Sequence, residues 1–134
     1  MKKYKASIII PVSDNYTILE YFLANLKLSL DIDEYQLIFV LDGPVGEKII
    51  KILQDFIKVY PSASYHCLES QSSYAHVNNY GRKFAKTDFL VFMNTDIIME
   101  KNCLEIMMAS LKRNSVQAVQ PLLIYPQNNK VQST

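Results

Sequence analysis

The chain has 134 residues, of which 49% are hydrophobic and 20% charged, with a formal net charge of +1. That length points to one domain, residues 1–134, able to bury a core without disulfides or a structural metal. The charge balance gives no support for a nucleic-acid footprint, which needs a clustered excess of Lys and Arg, and no apolar run reaches the roughly 20 residues of a membrane span.

Met1-Lys2-Lys3-Tyr4-Lys5 is basic like the start of a secretory leader. The apolar run behind it is short and broken by Pro11, so a cytoplasmic protein is expected. Ala6 to Val12 is apolar and β-branched without alternation, the pattern of a strand covered on both faces. Thr17-Ile18-Leu19-Glu20 reads as a capping box, and Ile18, Leu19, Phe22, Leu23, Leu26 and Leu30 follow at helical spacing. Gln36 to Leu41 is a second buried strand, ended by the turn signal Asp42-Gly43-Pro44. Glu47 to Tyr60 carries a helical stripe that Pro61 closes. Ala63 to Leu68 is a weaker third strand, and Ser73 to Ala85 reads as a helix. Phe89 to Met93 is a fourth strand, followed directly by Asn94-Thr95-Asp96. Asn102 to Glu105 resembles another helix start, with Leu104, Met107, Met108 and Leu111 as its stripe. Ala118 to Tyr125 is a last strand, and the polar tail from Gln127 looks loosely held. Cys67 and Cys103 have no CxxC spacing and read as buried free thiols in a reducing compartment.

The order is βαβαβαβαβ, which implies an α/β fold with a mostly parallel sheet and helices on both faces. Right-handed crossovers follow. Ligands on such sheets bind outside the carboxyl ends of the strands, where the strand order switches. Ser7–Pro11, Gln36–Leu41 and Phe89–Met93 are expected as adjacent central strands, which puts Asp42 and Asp96 on one edge.

Neither GxGxxG nor GxxxxGK[ST] is present, and the chain holds only Gly43, Gly46 and Gly81. A dinucleotide dehydrogenase or a P-loop NTPase is excluded on that ground. A diphosphate then needs another partner, and a divalent metal on a strand-end carboxylate serves. Asp96 is placed for this, with Asn94 two residues earlier in extended chain. On composition alone the same N-x-D is more often turn and helix-cap chemistry. Asp42 either accepts from a base imide or ribose hydroxyl, or bonds its own turn. Asn78 and Asn79 are poor helix formers, so they mark a polar task or an exposed face. His66 and His76 read as structural or surface residues. Tyr74 and Tyr80 lie where they can stack on a base.

Taken together, Ser7-Ile8-Ile9-Ile10-Pro11-Val12, Leu37 to Gly43, Tyr74 to Gly81 with Asn79 two residues before Gly81, and Phe89 to Asp96 resemble the large inverting glycosyltransferase family 2. Ala118 to Leu123 followed by Val131-Gln132-Ser133 is similar to the family's next segment, so the likeness spans nearly the whole chain. Phe89 to Asp96 is similar to the strand that ends in the family's DxD motif. The N-x-D form is similar to that of rhamnosyltransferase-like members.

The resemblance implies a Rossmann-like GT-A nucleotide-binding sheet and a UDP-, dTDP- or GDP-sugar donor. It implies nucleotide contacts at Pro11, Val12, Asp14, Asp42, Asn79 and Asn94, and Mg²⁺ or Mn²⁺ on Asp96. The implied reaction is sugar transfer, with inversion, to a hydroxyl of a glycan or lipid-linked acceptor in cell-surface polysaccharide biosynthesis. It places the protein in the cytoplasm, extending to the inner face of the membrane. The family's catalytic base is expected beyond Thr134, and a homodimer is expected to cover apolar surface of the shortened sheet. The chain departs from the family pattern at Leu41-Asp42, where two acids are frequent, and at Ser13-Asp14. An inactive nucleotide-sugar-binding module is the alternative, and a doubly wound signalling domain explains the sheet but not the N-x-D.

Overall fold

A computed structural model describes residues 3–133, in two compact units that divide after Met99. The first contains β1 (Ser7–Val12), α1 (Tyr16–Ser29), a 3₁₀ turn (Ile32–Glu34), β2 (Gln36–Leu41), α2 (Glu47–Val59), β3 (Ala63–Cys67), α3 (Tyr74–Arg82) and β4 (Leu90–Phe92). The second contains α4 (Cys103–Asn114), β5 (Leu123–Ile124) and β6 (Val131–Ser133).

The first four strands form one sheet in the order β3-β2-β1-β4, all parallel. The continuous apolar character of β1 and β2 has its cause here. Both are central, and almost every residue in them is buried. Ile9, Ile38 and Val40 share one face and pack with Val77 of α3. Alternate residues point to the other face, where Phe39 meets Phe56 of α2 edge-on at 5.8 Å between centroids. There α1 lies beside α2, with the Lys27 ammonium 5.8 Å from the Phe56 ring centre.

Two buried polar residues at the amino edge are fully engaged. Ser7 Oγ donates to Gln36 Oε1 at 2.7 Å, Gln36 Nε2 donates to the Phe84 carbonyl at 2.9 Å, and the Lys86 N–H donates to Gln36 Oε1 at 2.8 Å. This knot ties the starts of β1 and β2 to the chain leaving α3, because a buried amide without partners is costly.

The expected adjacency of Ser7–Pro11, Gln36–Leu41 and Phe89–Met93 holds, and Asp42 and Asp96 both follow the carboxyl ends of their strands. Four expectations need correction. The cap of α1 is Asn15, whose side chain accepts the Ile18 N–H at 3.1 Å, so the helix begins before Thr17. In place of one strand over Ala118–Tyr125, Leu123–Ile124 pairs antiparallel with Val131–Ser133 in a separate two-stranded sheet. The tail from Gln127 turns back through Asn128 and Asn129. Asn129 has φ 53°, and Asn128 Oδ1 accepts the Lys130 N–H at 2.9 Å, which is the local turn chemistry of Asn. Finally, Cys67 is exposed at the end of edge strand β3, and Cys103 is only half-buried.

Gly81 sets the distance between α3 and the sheet. A Cβ there would lie 2.6 Å from Ile9 Cγ2 and 2.9 Å from Val40 Cγ2. Gly→Ala in a helix normally stabilises by about 1 kcal/mol, but overpacking a tight core costs about 1–3 kcal/mol. Gly81→Ala is therefore expected to lower the thermal midpoint and the denaturant midpoint. An unchanged or raised midpoint would show that α3 can retreat without loss.

Candidate functional site at the carboxyl edge of the sheet

The site is built by a proline. Along the β1–β4 ladder, Ser7 N–H donates to the Phe89 carbonyl at 2.9 Å and the Met93 N–H donates to the Ile9 carbonyl at 3.0 Å. In this parallel register the next donor from β1 falls on residue 11. Pro11 has no N–H, so pairing with β4 stops. On its other side β1 continues to Val12, whose carbonyl accepts the Asp42 N–H at 3.1 Å. Unpaired beyond this point, the two strands leave the place for a crevice between β1 and β4. It is also where the strand order switches, because β1, β2 and β3 step one way and β4 lies on the opposite side of β1.

Asn94-Thr95-Asp96 leaves the sheet at this crevice. Thr95 and Asp96 form a turn, and the side chains of Asn94 and Asp96 are exposed. A cavity of about 240 Å³ adjoins them, walled by Ile18, Tyr21 and Phe22 of α1 and by Thr95 to Ile98. Met99 anchors the segment behind it. Its N–H donates to Asn25 Oδ1 at 2.8 Å, and Asn25 Nδ2 donates to the Met99 carbonyl at 3.2 Å.

Two further strand-end acids, Asp14 and Asp42, act as straps. Asp14 Oδ1 accepts the Gly46 N–H at 2.9 Å, joining the loop after β1 to the start of α2. Asp42 Oδ1 accepts the Ser72 N–H at 2.8 Å, joining the loop after β2 to the loop before α3. Gly43 permits that second approach. Its φ is +90°, and an added Cβ would sit 2.7 Å from the Gln71 nitrogen. Asp42 therefore bonds neither its own turn nor open solvent alone, and each acid keeps a second oxygen for other donors.

Val12 is buried beneath the edge and Pro11 is half-buried at it. Asn79 is exposed on α3, whereas Asn78 beside it is only 6% exposed. Tyr80 is not turned to the crevice; it packs edge-on against Phe84 at 5.4 Å between centroids. Tyr74 is exposed at the start of α3. His66 stacks on Phe84 at 3.5 Å between ring centres, and His76 is exposed. Reading the sequence passed over the Gly46 and Ser72 amides, because partners about 30 residues apart leave no local signal. It also passed over the burial of Asn78.

Among residues 3–99, in the loops after β1 to β4 and the first turns of α1 to α3, the acids are Asp14, Asp42, Glu47, Glu69 and Asp96, against Lys48 alone among Lys and Arg. Lys48 Nζ stands 3.5 Å from the centre of the Tyr16 ring. Among the described residues no group of three or more His, Cys, Asp or Glu side chains is gathered to hold a metal ion. Oxygen donors here come one carboxylate at a time, which suits a cation that completes its shell with ligand and water oxygens.

A parallel sheet with a strand-order switch and acidic strand ends defines a doubly wound α/β protein whose ligand site lies at the carboxyl edge. The glycosyl transferase family 2 model matches residues 7–133, and the chain belongs to that family. No curated protein matches the sequence. Among solved structures, S. aureus TarS superposes with TM-score 0.70 at 19% identity, over 83% of this chain and 20% of that one. S. aureus TarS 1-349 in complex with UDP-GlcNAc gives TM-score 0.71 at 19% identity, over 83% and 32%. The mannosyltransferase PcManGT from Pyrobaculum calidifontis, in complex with GDP-Man and Mn²⁺, gives TM-score 0.72 at 14% identity, over 94% and 37%. The fold is that of GT-A glycosyltransferases. The chain spans a fifth to about two fifths of the length of these structures.

Cys103 and His66 have displaced pKa values. Burial raises the Cys103 thiol, with Glu105 and Glu100 adding to the effect, so it stays protonated and a weak nucleophile at neutral pH. Burial lowers His66 below its ordinary 6.5. The folded state holds the imidazole neutral, so its contribution to stability is complete above about pH 6.5 and is lost as pH falls below that value.

Two measurements follow from this geometry. In Pro11→Ala the new amide meets the Met93 carbonyl, so the N–H gained at position 11 should be protected in hydrogen exchange. Exchange at a loop-like rate would reject the ladder account. In His66→Phe the thermal midpoint should depend less on pH between about 7 and 5 than in the wild type. Identical pH profiles would reject the role of His66.

Proposed function

We propose that residues 1–134 act as the donor-binding domain of a glycosyltransferase, holding a nucleotide-sugar across the carboxyl edge of the sheet. The observation that carries this is the end of the β1–β4 ladder at Pro11, with the exposed Asp96 just beyond it, in a chain of family 2. The nucleotide complexes of the similar structures support it. In this reading the nucleoside lies over Pro11, Val12 and the second oxygen of Asp42, with Asn79 at its margin. The diphosphate turns toward Asn94 and Asp96.

The electrostatics support a metal requirement. Five carboxylates against one ammonium repel a diphosphate, so its binding needs a divalent cation. Asp96, with Asn94 as a neutral oxygen donor, would hold Mg²⁺ or Mn²⁺, which when bound neutralises charge on the leaving diphosphate as a Lewis acid. The protein residues keep the arrangement fixed. Asp14 and Asp42 hold the loops through Gly46 and Ser72, and the Met99–Asn25 pair fixes the segment behind Asp96. Ile18, Tyr21, Phe22, Ile97 and Ile98 present an apolar wall beside Asp96. The transfer proceeds with inversion to a hydroxyl of a glycan or lipid-linked acceptor.

Calorimetric titration with UDP, GDP and dTDP, with and without Mn²⁺, tests the proposal. At least one should bind only with the metal. Asp96→Ala should abolish that binding, and Asn94→Ala should weaken it less, since a neutral ligand compensates less charge. Equal affinities for the wild type and Asp96→Ala in saturating Mn²⁺ would reject the metal assignment.

A further inference from the structure

Asn78 carries a buried oxygen without a partner. Its residue is only 6% exposed, its Nδ2 donates to the Tyr74 carbonyl at 2.9 Å, and its Oδ1 has no hydrogen bond. A flipped amide does not resolve this. The Tyr74 carbonyl only accepts, so it must face the NH₂ group, and Oδ1 must face away. Buried polar atoms are nearly always satisfied, so an orphan of this kind calls for a function.

The direction it faces follows from the helix. Val77 and Gly81 point at Ile9 and Val40, so α3 lies over β1 and β2. Tyr80 and Phe84 mark the flank toward β3, because Phe84 stacks on His66 of that strand. At about 100° per residue, Asn78 stands about 200° from Tyr80, on the opposite flank. That flank faces β1 and β4. Along its length α3 runs from the carboxyl edge to the amino edge, where Phe84 meets Gln36. Asn78 lies in the second turn, with its amide hooked back toward Tyr74. Asn78 therefore sits on the flank of α3 toward β1 and β4, in the half of the helix nearer the carboxyl edge.

We propose that Asn78 is a nucleoside-recognition residue of the donor site, its Oδ1 accepting an N–H of the base or a hydroxyl of the ribose. The inference rests on the nucleotide-binding reading above. Its chemistry is restrictive. With Nδ2 held by Tyr74, Asn78 can only accept. Phosphate oxygens also only accept, so the diphosphate is excluded as its partner. The remaining donors on a nucleotide are the base N–H groups and the ribose hydroxyls.

The test compares nucleotide with pyrophosphate. UDP, GDP, dTDP and inorganic pyrophosphate, each with Mn²⁺, are titrated into the wild type and Asn78→Leu. Leu is apolar and close in size, so it removes the orphan oxygen without opening a cavity; Asn78→Ala is the second variant should Leu overpack. The nucleotide that the wild type binds should lose about tenfold in affinity, the worth of one hydrogen bond. Pyrophosphate affinity should not change. A loss shared by the 2′-deoxy analogue of that nucleotide assigns a donor other than the 2′-hydroxyl, and a loss confined to the ribonucleotide assigns the 2′-hydroxyl. Equal nucleotide affinity in the wild type and both variants, or an equal loss for nucleotide and pyrophosphate, overturns the inference and leaves the donor-site reading standing. Failure of the wild type to bind any of the three nucleotides overturns that reading, and the inference with it.

Discussion

A single missing hydrogen-bond donor organises the carboxyl edge of this sheet. β1 is paired to its end along β2, yet its ladder with β4 stops at Pro11. Were residue 11 able to donate, the Met93 carbonyl would also be drawn into the ladder and the following residues could extend β4. Their side chains would then alternate between the two faces of the sheet. Released from pairing, Asn94-Thr95-Asp96 turns instead, and both polar side chains reach solvent at the switch in strand order. The position of the crevice and the exposure of Asp96 are both consequences of that break.

The loops around the crevice are fixed by charge. Asp14 and Asp42 each give one oxygen to a backbone N–H of a neighbouring loop, and hydrogen bonds to an ionised acceptor are stronger than neutral ones. The same carboxylates leave the edge negative, with Lys48 as the one Lys or Arg among these loops and first turns of residues 3–99. The arrangement is self-consistent only for a ligand that arrives with a cation or presents donors of its own. This is why the same acids can position the backbone and select the chemistry of what binds over it.

The parts legible in the sequence were those whose cause is local or repeats. The unbroken apolar runs of β1 and β2 announced strands buried on both faces, and the stripe of Ile49, Leu53 and Phe56 announced α2. The carboxyl-edge location of Asp42 and Asp96 followed from strand order alone. What was hidden depends on pairing across distance. The Asp14–Gly46 and Asp42–Ser72 straps leave no periodicity. The hairpin of β5 and β6 was disguised, because Ala118 to Tyr125 reads as one apolar run while only Leu123 and Ile124 pair. Asn15 displaced Thr17 as the cap of α1, since either side chain can accept a first-turn N–H. Asn78 and Asn79 are chemically identical neighbours, and only the rotation of α3 separates the buried one from the exposed one.

That rotation is itself set by Gly81. The helix approaches until the Gly81 Cα lies where any side chain would strike Ile9 and Val40. Val77, one turn earlier on the same line, is then pressed into the core with Ile9, Ile38 and Val40. Asn78 follows Val77 by about 100° and is carried under the edge of the contact, where water no longer reaches its oxygen. A helix seated farther from the sheet would leave that amide hydrated and of no consequence. The absence of a side chain at residue 81 thus creates the burial of the side chain at residue 78. Close packing of α3 on the sheet keeps an unmatched acceptor buried at the edge of the contact.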